Sequence, residues 1–124
     1  AARGASVLVF GRDAAKADDA ARRIASETGG RAMSGSADVR DFAAVQALFD
    51  HALLEIGAPS VVIAGAAGNF MAPAVSISPN GFRTVVDIDL MGTYNVFTAG
   101  FGVLRRPGSM IAITAPQSRQ PLPQ

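Results

Sequence analysis

The feature that most constrains this chain is a regular alternation of short apolar runs with longer segments of helical periodicity. Three helical segments separate four runs that we predict as strands, namely Ser6–Phe10, Arg31–Ala37, Ser60–Ala64 and Met110–Thr114. A nearly continuous apolar run is typical of a strand buried on both faces. A helix between two such strands returns the chain to start a parallel neighbour. The order therefore predicts a doubly wound α/β fold, with a parallel sheet and helices on both faces.

Capping residues set the bounds of the first two predicted helices. Asp13 and Asp41 are N-cap candidates, because a short side-chain oxygen can accept from a free N–H of the first turn. Gly29-Gly30 and Gly57 end these helices, because glycine readily takes the left-handed conformation that follows a last helical turn.

The third helix is predicted to begin with Ser78 as its cap and Pro79 at the first helical position. It is expected to be one long helix that ends near Leu104. A loop rich in Gly, Ala and Pro, residues 65–77, precedes it, and the tail from Ala115 to Gln124 is predicted as loop.

Composition excludes several classes of protein. A length of 124 residues favours one domain, and a net charge of +1 gives no sign of a nucleic-acid arm or a polybasic membrane patch. The longest apolar stretch, Val61–Gly68, is far shorter than the roughly 20 residues that span a bilayer. Cysteine is absent and His51 is the one histidine, so we expect neither disulfides nor a metal site. We expect no nucleic-acid or membrane partner.

In a doubly wound sheet, ligands bind beyond the carboxyl ends of the strands. Arg12 follows the first strand there and could pair with a phosphate. Asp38 follows the second and could accept a hydrogen bond from an adenine amino group. Gly65-Ala66-Ala67-Gly68 follows the third and lacks bulk, so a flat ligand could lie against its backbone. Each feature alone is ordinary, but together they favour a nucleotide cofactor.

The glycine fingerprint of dinucleotide-binding folds is missing. No G-x-G-x-x-G is present, and Gly65-x-x-Gly68 and Gly100-x-Gly102 fit neither its spacing nor its context between a strand and a helix.

Two sets of motifs carry a resemblance to a known family. The segments 3–13 (beginning Arg-Gly-Ala-Ser-Val) and 37–41 (Ala-Asp-Val-Arg-Asp) resemble the second and third strands of short-chain dehydrogenases/reductases. The segments 66–70 (Ala-Ala-Gly-Asn-Phe), 78–82 and 87–93 (Asp-Ile-Asp-Leu-Met-Gly-Thr) are similar to one branch, the 2,4-dienoyl-CoA reductases, especially the peroxisomal type.

The resemblance covers essentially the whole chain and implies an incomplete Rossmann-like domain. The first strand with its glycine turn is expected before Ala1, and the helix with the catalytic Lys after Gln124. The absent strand would lie between the strands at Ser6 and Ser60. Residues 1–124 are therefore expected to be part of an NADP-binding reductase domain that is inactive alone.

The resemblance also implies roles for individual residues. It assigns Asp89 to catalysis, in a position where most of the superfamily has a helix Asn, and it implies no metal. NADP(H) would be bound by Arg12, at its 2′-phosphate, by Asp38, at adenine, and by Asp13, Lys16, Val39, Ala66 and Gly68. Arg40 would hold the CoA phosphates, and acyl-CoA would also contact Asn69, Phe70, Ser78, Pro79 and Asn80.

Two positions depart from the common pattern of the superfamily. Ala115 stands where most members have a catalytic Ser, and Ala64 replaces the usual strand Asn. Both departures argue against an ordinary carbonyl-reducing alcohol dehydrogenase. For Asp89 a structural role remains open, in which the carboxylate only caps a neighbouring loop. Tyr94 is predicted to lie in the core or at an interface.

The resemblance implies an NADPH-dependent enzyme that reduces 2,4-dienoyl-CoA to 3-enoyl-CoA. One alternative is another NADP-dependent short-chain reductase, such as one acting on a 3-oxoacyl thioester. The other is a catalytically inactive fragment with a structural role. A homodimer or homotetramer is expected, with the long third helix at its interface. The location would be the cytoplasm in a bacterium, which the Ala, Gly and Arg content suggests, or the peroxisome in a eukaryote.

Overall fold

The computed structural model describes residues 1–69 and 72–115. Four strands and four α-helices follow one another in these residues, with two other helical turns. In chain order they are β1 (Val7–Gly11), α1 (Ala14–Thr28), β2 (Ala32–Ser36), α2 (Phe42–Ile56), β3 (Val61–Ala64), a 3₁₀ turn (Ala74–Ser76), α3 (Pro79–Val86), a π-helical turn (Asp87–Met91), α4 (Gly92–Val103) and β4 (Ser109–Ala112).

The described strands form two parallel pairs. β1 pairs with β2 from Val7 opposite Ala32 to Gly11 opposite Ser36, and β3 pairs with β4 from Val61 opposite Ser109 to Ala64 opposite Ala112. The predicted parallel α/β architecture is therefore correct. Within the described residues, however, β1 and β3 are not hydrogen-bonded to each other, so the four strands do not form one continuous sheet.

Helices cover both faces of the β1–β2 pair, as β2 demonstrates. The Ser34 hydroxyl donates a hydrogen bond to Asp18 of α1. The next residue, Gly35, faces the other way, because a Cβ placed on it would collide with Leu48 of α2. Since consecutive side chains of a strand point to opposite faces, α1 and α2 lie on opposite sides.

The hydrophobic core lies between the strands and the layer formed by α2 and α4. Val45 of α2 and Ala99 of α4 are fully buried there. The other buried members of the core are Ala37, Val39, Leu48, Phe49, Val62, Ala64, Ile88 and Val96. Phe49 also meets Phe10 of β1 edge to face, with ring centroids 6.1 Å apart. The core therefore ties β1 and β3 to the same pair of helices although the strands do not pair.

The predicted caps are confirmed for three helices. Asp13, Asp41 and Ser78 each accept a hydrogen bond from a backbone N–H in the first turn. The backbone N–H of Gly29, whose φ is 65°, bonds to the carbonyl of Ala25 and ends α1. Gly57 ends α2 in the same position relative to its helix.

The predicted long third helix is present as continuous helical structure from Pro79 to Val103, but the sequence pattern does not predict the π turn within it. The π-helical turn Asp87–Met91 separates α3 from α4, so the helical rod continues but its hydrogen-bond spacing changes. Helical periodicity does not distinguish a π turn from an α turn over so short a stretch. The 3₁₀ turn Ala74–Ser76 within the predicted loop was also not foreseen. The predicted tail begins at Ala115, and its residues 116–124 lie outside the described residues.

Tyr94 is not a core residue, since it is 60% exposed. Its place on α4 is opposite to the buried Asn95, Val96 and Ala99, so the half of the prediction that assigned it to the core is wrong. Among the helices of residues 1–69 and 72–115, none combines the length and the apolar character needed to cross a membrane.

Candidate nucleotide-binding cleft

A cleft of about 370 Å³ lies at the carboxyl ends of β1, β2 and β3. Its wall includes Arg12 after β1, Asp38 and Val39 after β2, and Ala66 after β3. α4 and the π turn close it from one side through Ile88, Gly92, Thr93 and Val96. Four residues that the sequence assigned to a cofactor are thus brought together, although up to 54 positions separate them in the chain.

A second pocket of about 590 Å³ adjoins the first at the end of β1. Arg12 lines both pockets, and Asp13 and Lys16 line the second. Asp13 Oδ1 accepts a hydrogen bond from the Lys16 N–H at 3.1 Å, and Lys16 Nζ lies 3.8 Å from Asp13 Oδ2. The Arg12 side chain is exposed, so this corner of the cleft presents two cations next to the N-terminus of α1, where an anion is favoured.

Asp38 lies at the rim of the cleft and is bound closely by Arg40. Arg40 Nε donates to both carboxylate oxygens of Asp38, at 3.0 and 3.1 Å, and Nη2 donates to Oδ2 at 2.6 Å. The Arg40 backbone N–H also donates to Oδ1 at 3.0 Å. These hydrogen bonds, first those of the guanidinium, lower the pKa of Asp38 from 3.8 to about 2. The carboxylate is therefore ionised at neutral pH.

Asn95 fixes the backbone of this rim, and the sequence analysis does not single it out. Asn95 is the buried polar side chain of α4, and its Nδ2 donates to the carbonyl oxygens of Val39 at 2.9 Å and Arg40 at 3.4 Å. A buried amide must find partners, so these bonds tie α4 to the loop that carries Asp38. A single polar residue on the apolar face of a helix was the signal available in the sequence.

The π turn brings α4 close to the same loop. Gly92 is buried where a Cβ would lie 2.5 Å from Val39 Cγ2, so only glycine allows this approach. The Gly92 N–H bonds to the carbonyl of Asp87, five residues earlier, which is the π-helical spacing. Turns of this kind are frequent at functional sites, and here the turn forms part of the cleft wall.

The π turn also carries Asp89, whose Oδ1 accepts a hydrogen bond from the Gly68 N–H at 2.7 Å. Asp89 therefore holds the loop that follows β3. Gly68 packs on the same turn, because a Cβ there would lie 2.6 Å from Ile88 Cδ1. The Asp89 side chain is exposed, so its carboxylate can also contact solvent or a ligand.

The residues assigned to acyl-CoA are less concentrated. Ser78, Pro79 and Asn80 form the exposed start of α3, where Ser78 Oγ accepts from the Gly81 N–H at 3.1 Å. Asn69 is exposed next to Gly68. Phe70 lies outside the described residues. In the described part of the chain, these residues are not among those that line the cleft between β1 and β3.

Within residues 1–69 and 72–115, no three His, Cys, Asp or Glu side chains are grouped so that they could hold a metal ion.

Parallel strands, intervening helices and a cleft at the strands' carboxyl ends define a Rossmann-like α/β domain. A family model described as enoyl-(acyl carrier protein) reductase matches residues 1–124. The chain belongs to this family of short-chain dehydrogenases/reductases.

Among characterised proteins, the chain is similar to peroxisomal 2,4-dienoyl-CoA reductases. The chain is 43% identical over 93 residues to the peroxisomal 2,4-dienoyl-CoA reductase of Rattus norvegicus, a match that covers 75% of this chain and 32% of the relative. It is 40% identical over 114 residues to the Mus musculus protein of the same name, which covers 90% of this chain and 39% of that protein. The matched part of the chain thus spans 32–39% of the length of these relatives.

Solved structures confirm the fold. An alcohol dehydrogenase from Thermococcus sibiricus, complexed with 5-hydroxy-NADP, superposes with a TM-score of 0.88 at 20% identity over 98% of this chain and 52% of its own. A gluconate 5-dehydrogenase from Burkholderia cenocepacia J2315, in complex with NADP and tartrate, superposes with a TM-score of 0.85 at 29% identity over 98% of this chain and 50% of its own.

Proposed function

We propose that the protein of which these residues form a part reduces 2,4-dienoyl-CoA to 3-enoyl-CoA with NADPH. The observation that carries this proposal is the identity of 40–43% to peroxisomal 2,4-dienoyl-CoA reductases over 75–90% of this chain. Residues 1–124 would be part of its NADP-binding domain. A eukaryotic protein of this kind would act in the peroxisome, as the names of these relatives indicate, and a bacterial one in the cytoplasm.

The chemistry of the cleft fits a phosphorylated dinucleotide. Arg12 and Lys16 offer exposed cations at the end of β1, which suits the 2′-phosphate of NADP. Asp38 offers an ionised carboxylate that can accept from the adenine amino group. Ala66 and Gly68 lie in a loop without bulk, and Val39 supplies apolar wall. Bound NADPH would supply the hydride.

Asp89 would direct the proton of the reduction. Hydride addition at the far end of the diene places negative charge on the thioester oxygen, and a proton must then reach the α-carbon. An ionised carboxylate accepts about four hydrogen bonds, and the Gly68 N–H uses one of them. Asp89 can therefore hold the loop and also orient the water molecule that delivers this proton. The loop-capping role does not exclude the catalytic one.

The acyl-CoA residues remain a proposal. Asn69, Phe70, Ser78, Pro79 and Asn80 follow β3 along the chain, whereas Arg12 follows β1. Arg40, which the resemblance assigns to the CoA phosphates, is exposed next to the cleft, but its guanidinium is already paired with Asp38.

The test is an assay of the purified full-length protein for loss of NADPH absorbance with three thioesters. They are a 2,4-dienoyl-CoA, a 2-enoyl-CoA and a 3-oxoacyl-CoA of equal chain length. We expect turnover of the dienoyl-CoA alone, with 3-enoyl-CoA as the product identified by mass spectrometry. Turnover of the 3-oxoacyl-CoA would favour the second candidate, a 3-oxoacyl-thioester reductase. A lack of activity and of NADPH binding would favour the remaining alternative, a catalytically inactive protein with a structural role.

An apolar stripe on the helical rod supports a homo-oligomer. Leu90, Tyr94 and Phe101 are each more than half exposed and recur at spacings that place them on one side of α4 and its preceding turn. Large exposed side chains in such a row are typical of an interface. We expect light scattering of the full-length protein to give a dimer or tetramer, and Tyr94→Asp to shift it toward monomer.

A further inference from the structure

The carboxylate of Asp38 is held in one orientation by three N–H groups, and all three belong to Arg40. They are the backbone N–H, Nε–H and one Nη2–H, and they make four contacts of 2.6 to 3.1 Å. A carboxylate has about four acceptor positions. Arg40 therefore leaves Asp38 with capacity for about one more donor. A planar guanidinium that contacts both oxygens also prevents the carboxylate from rotating.

The backbone below this pair is equally constrained. Asn95 Nδ2 donates to the carbonyl oxygens of Val39 and Arg40, and the Asp41 N–H donates to the carbonyl oxygen of Asp38 at 2.9 Å. Gly92 packs against Val39 from the same helix as Asn95. The loop between β2 and α2 is thus fixed at each residue from Asp38 to Asp41. The guanidinium of Arg40 therefore acts on a carboxylate whose main chain is held by hydrogen bonds and packing.

Asp38 lines the cleft, and the positive charge of Arg40 is paired with the Asp38 carboxylate. We propose that Arg40 is a positioning residue that orients the Asp38 carboxylate, so that its remaining acceptor position selects a base with an exocyclic amino group. This inference rests on the proposed function, because it requires that an adenine nucleotide occupies the cleft. It gives Arg40 a task on the cofactor side of the site, which differs from a contact with the CoA phosphates.

The experiment compares two cofactors on the full-length protein. One is NADPH, and the other is its analogue with hypoxanthine in place of adenine, in which a carbonyl oxygen replaces the amino group. Dissociation constants are measured by cofactor fluorescence for wild type, Arg40→Met and Arg40→Lys. Wild type is expected to prefer NADPH by about 10-fold, as for a hydrogen bond to a charged acceptor. Arg40→Met should lose most of this preference, and Arg40→Lys should restore it only in part.

Two further variants make the result specific. Arg31→Met removes the same charge from an exposed arginine that lies 3.9 Å from Glu55, at the other end of β2, and should leave the preference unchanged. In an Asp38→Ala background, Arg40→Met should have no further effect on the preference, since the residue acts through Asp38. A merely structural role of Arg40 would weaken both cofactors equally in every background.

The outcomes separate this inference from the function on which it rests. Equal binding of both cofactors by wild type would overturn the role of Asp38 and Arg40 and leave the reductase proposal standing. An unchanged preference in Arg40→Met, with weaker binding of acyl-CoA, would assign Arg40 to the CoA phosphates and overturn the inference. Failure of wild type to bind either cofactor would overturn both proposals.

Discussion

Arg12 is the residue on which the choice of cofactor depends. It lies at the junction of the two pockets, its side chain is exposed, and Phe10 and Gly11 before it carry no negative charge. Arg12→Ala in the full-length enzyme should raise KM for NADPH by roughly 10- to 100-fold, the range for a charge-assisted contact. KM for NADH should hardly change, because NADH lacks the 2′-phosphate. Equal losses for the two cofactors in steady-state kinetics would reject the assignment.

Asp89 accepts a hydrogen bond from the Gly68 N–H and is proposed to orient the water that delivers the proton. A single substitution separates these two roles. Asp89→Asn keeps an oxygen that can accept from the Gly68 N–H, so the loop after β3 should stay in place. Loss of the carboxylate should lower kcat by roughly 10²–10⁴, the range for a positioned acid–base group. NADPH affinity and melting temperature should change little.

Asp89→Leu is the companion variant, since it removes the hydrogen bond to Gly68 as well as the charge. It should lower both kcat and the melting temperature. If Asp89→Asn turns over a dienoyl-CoA at the normal rate, Asp89 has only the structural role.

Asp38 makes the stability of the fold depend on pH in the acid range. Its pKa is lowered to about 2 in the folded protein, against 3.8 for the ordinary group, chiefly by the Arg40 guanidinium. The ion pair therefore stabilises the fold in full above pH 3.8, and this contribution is lost as the pH falls from 3.8 to about 2. Carboxyl NMR titration should place the Asp38 midpoint near 2 and move it up toward 3.8 in Arg40→Met. A midpoint that does not move in this variant would show that Arg40 is not the cause.

At the scale of elements, the contact between α4 and the loop after β2 decides the shape of the cleft. Alanine is favoured over glycine in a helix by about 1 kcal/mol. At Gly92, however, an added Cβ would lie 2.5 Å from Val39 Cγ2 and 3.0 Å from Val39 Cβ, so rotation of the valine does not relieve the collision. Overpacking of this kind costs about 1–3 kcal/mol, which is enough to outweigh the helix preference.

We therefore expect Gly92→Ala to lower the free energy of unfolding and to weaken cofactor binding. Gly102→Ala is a matched control in the same helix, because nothing lies within 4 Å of its Cβ position. The control should be neutral or slightly stabilising in thermal melts of the full-length protein. A Gly92→Ala variant as stable as the Gly102→Ala variant would contradict the close contact with Val39.

At the scale of the whole molecule, β1 and β3 face each other across a gap, and in the described part of the chain their facing edges are unpaired. The N–H of Val7 bonds to Arg31, and Gly11 accepts from Ala37, so these residues direct their polar groups to β2. Because backbone polar groups alternate along a strand, those of Leu8 and Phe10 point away from β2. They face a third pocket, of about 440 Å³, which β3 lines from the other side. Val61 and Ile63 of β3 are 49% and 56% exposed.

Unpaired strand edges and exposed apolar side chains favour association over a stable monomer. We expect residues 1–124, prepared alone, to melt without a sharp transition or to self-associate, as judged by circular dichroism and light scattering. The full-length protein should melt cooperatively. A sharp, concentration-independent melt of the monomeric 1–124 chain would show that the two edges need no further strand between them.

The sequence by itself determined the local structure of this protein. Asp13, Asp41 and Ser78 cap helices, and Gly29 and Gly57 end them, because these effects act within one turn and depend on neighbours in the chain. The strand–helix alternation likewise determined the α/β class and the parallel pairing. The motifs around Asp89 led to the family, which the comparisons confirm.

Only the tertiary structure decided how the loops meet. The bond from Asn95 to the Val39 and Arg40 carbonyls joins residues more than 50 positions apart, and no local pattern encodes it. The π turn lies where Gly92 packs against Val39 and Asp89 bonds to Gly68, and both contacts join segments that are distant in the chain. A strand's own residues specify its faces but not its neighbour, so the separation of β1 from β3 follows from the family resemblance and the tertiary structure and not from the residues of either strand.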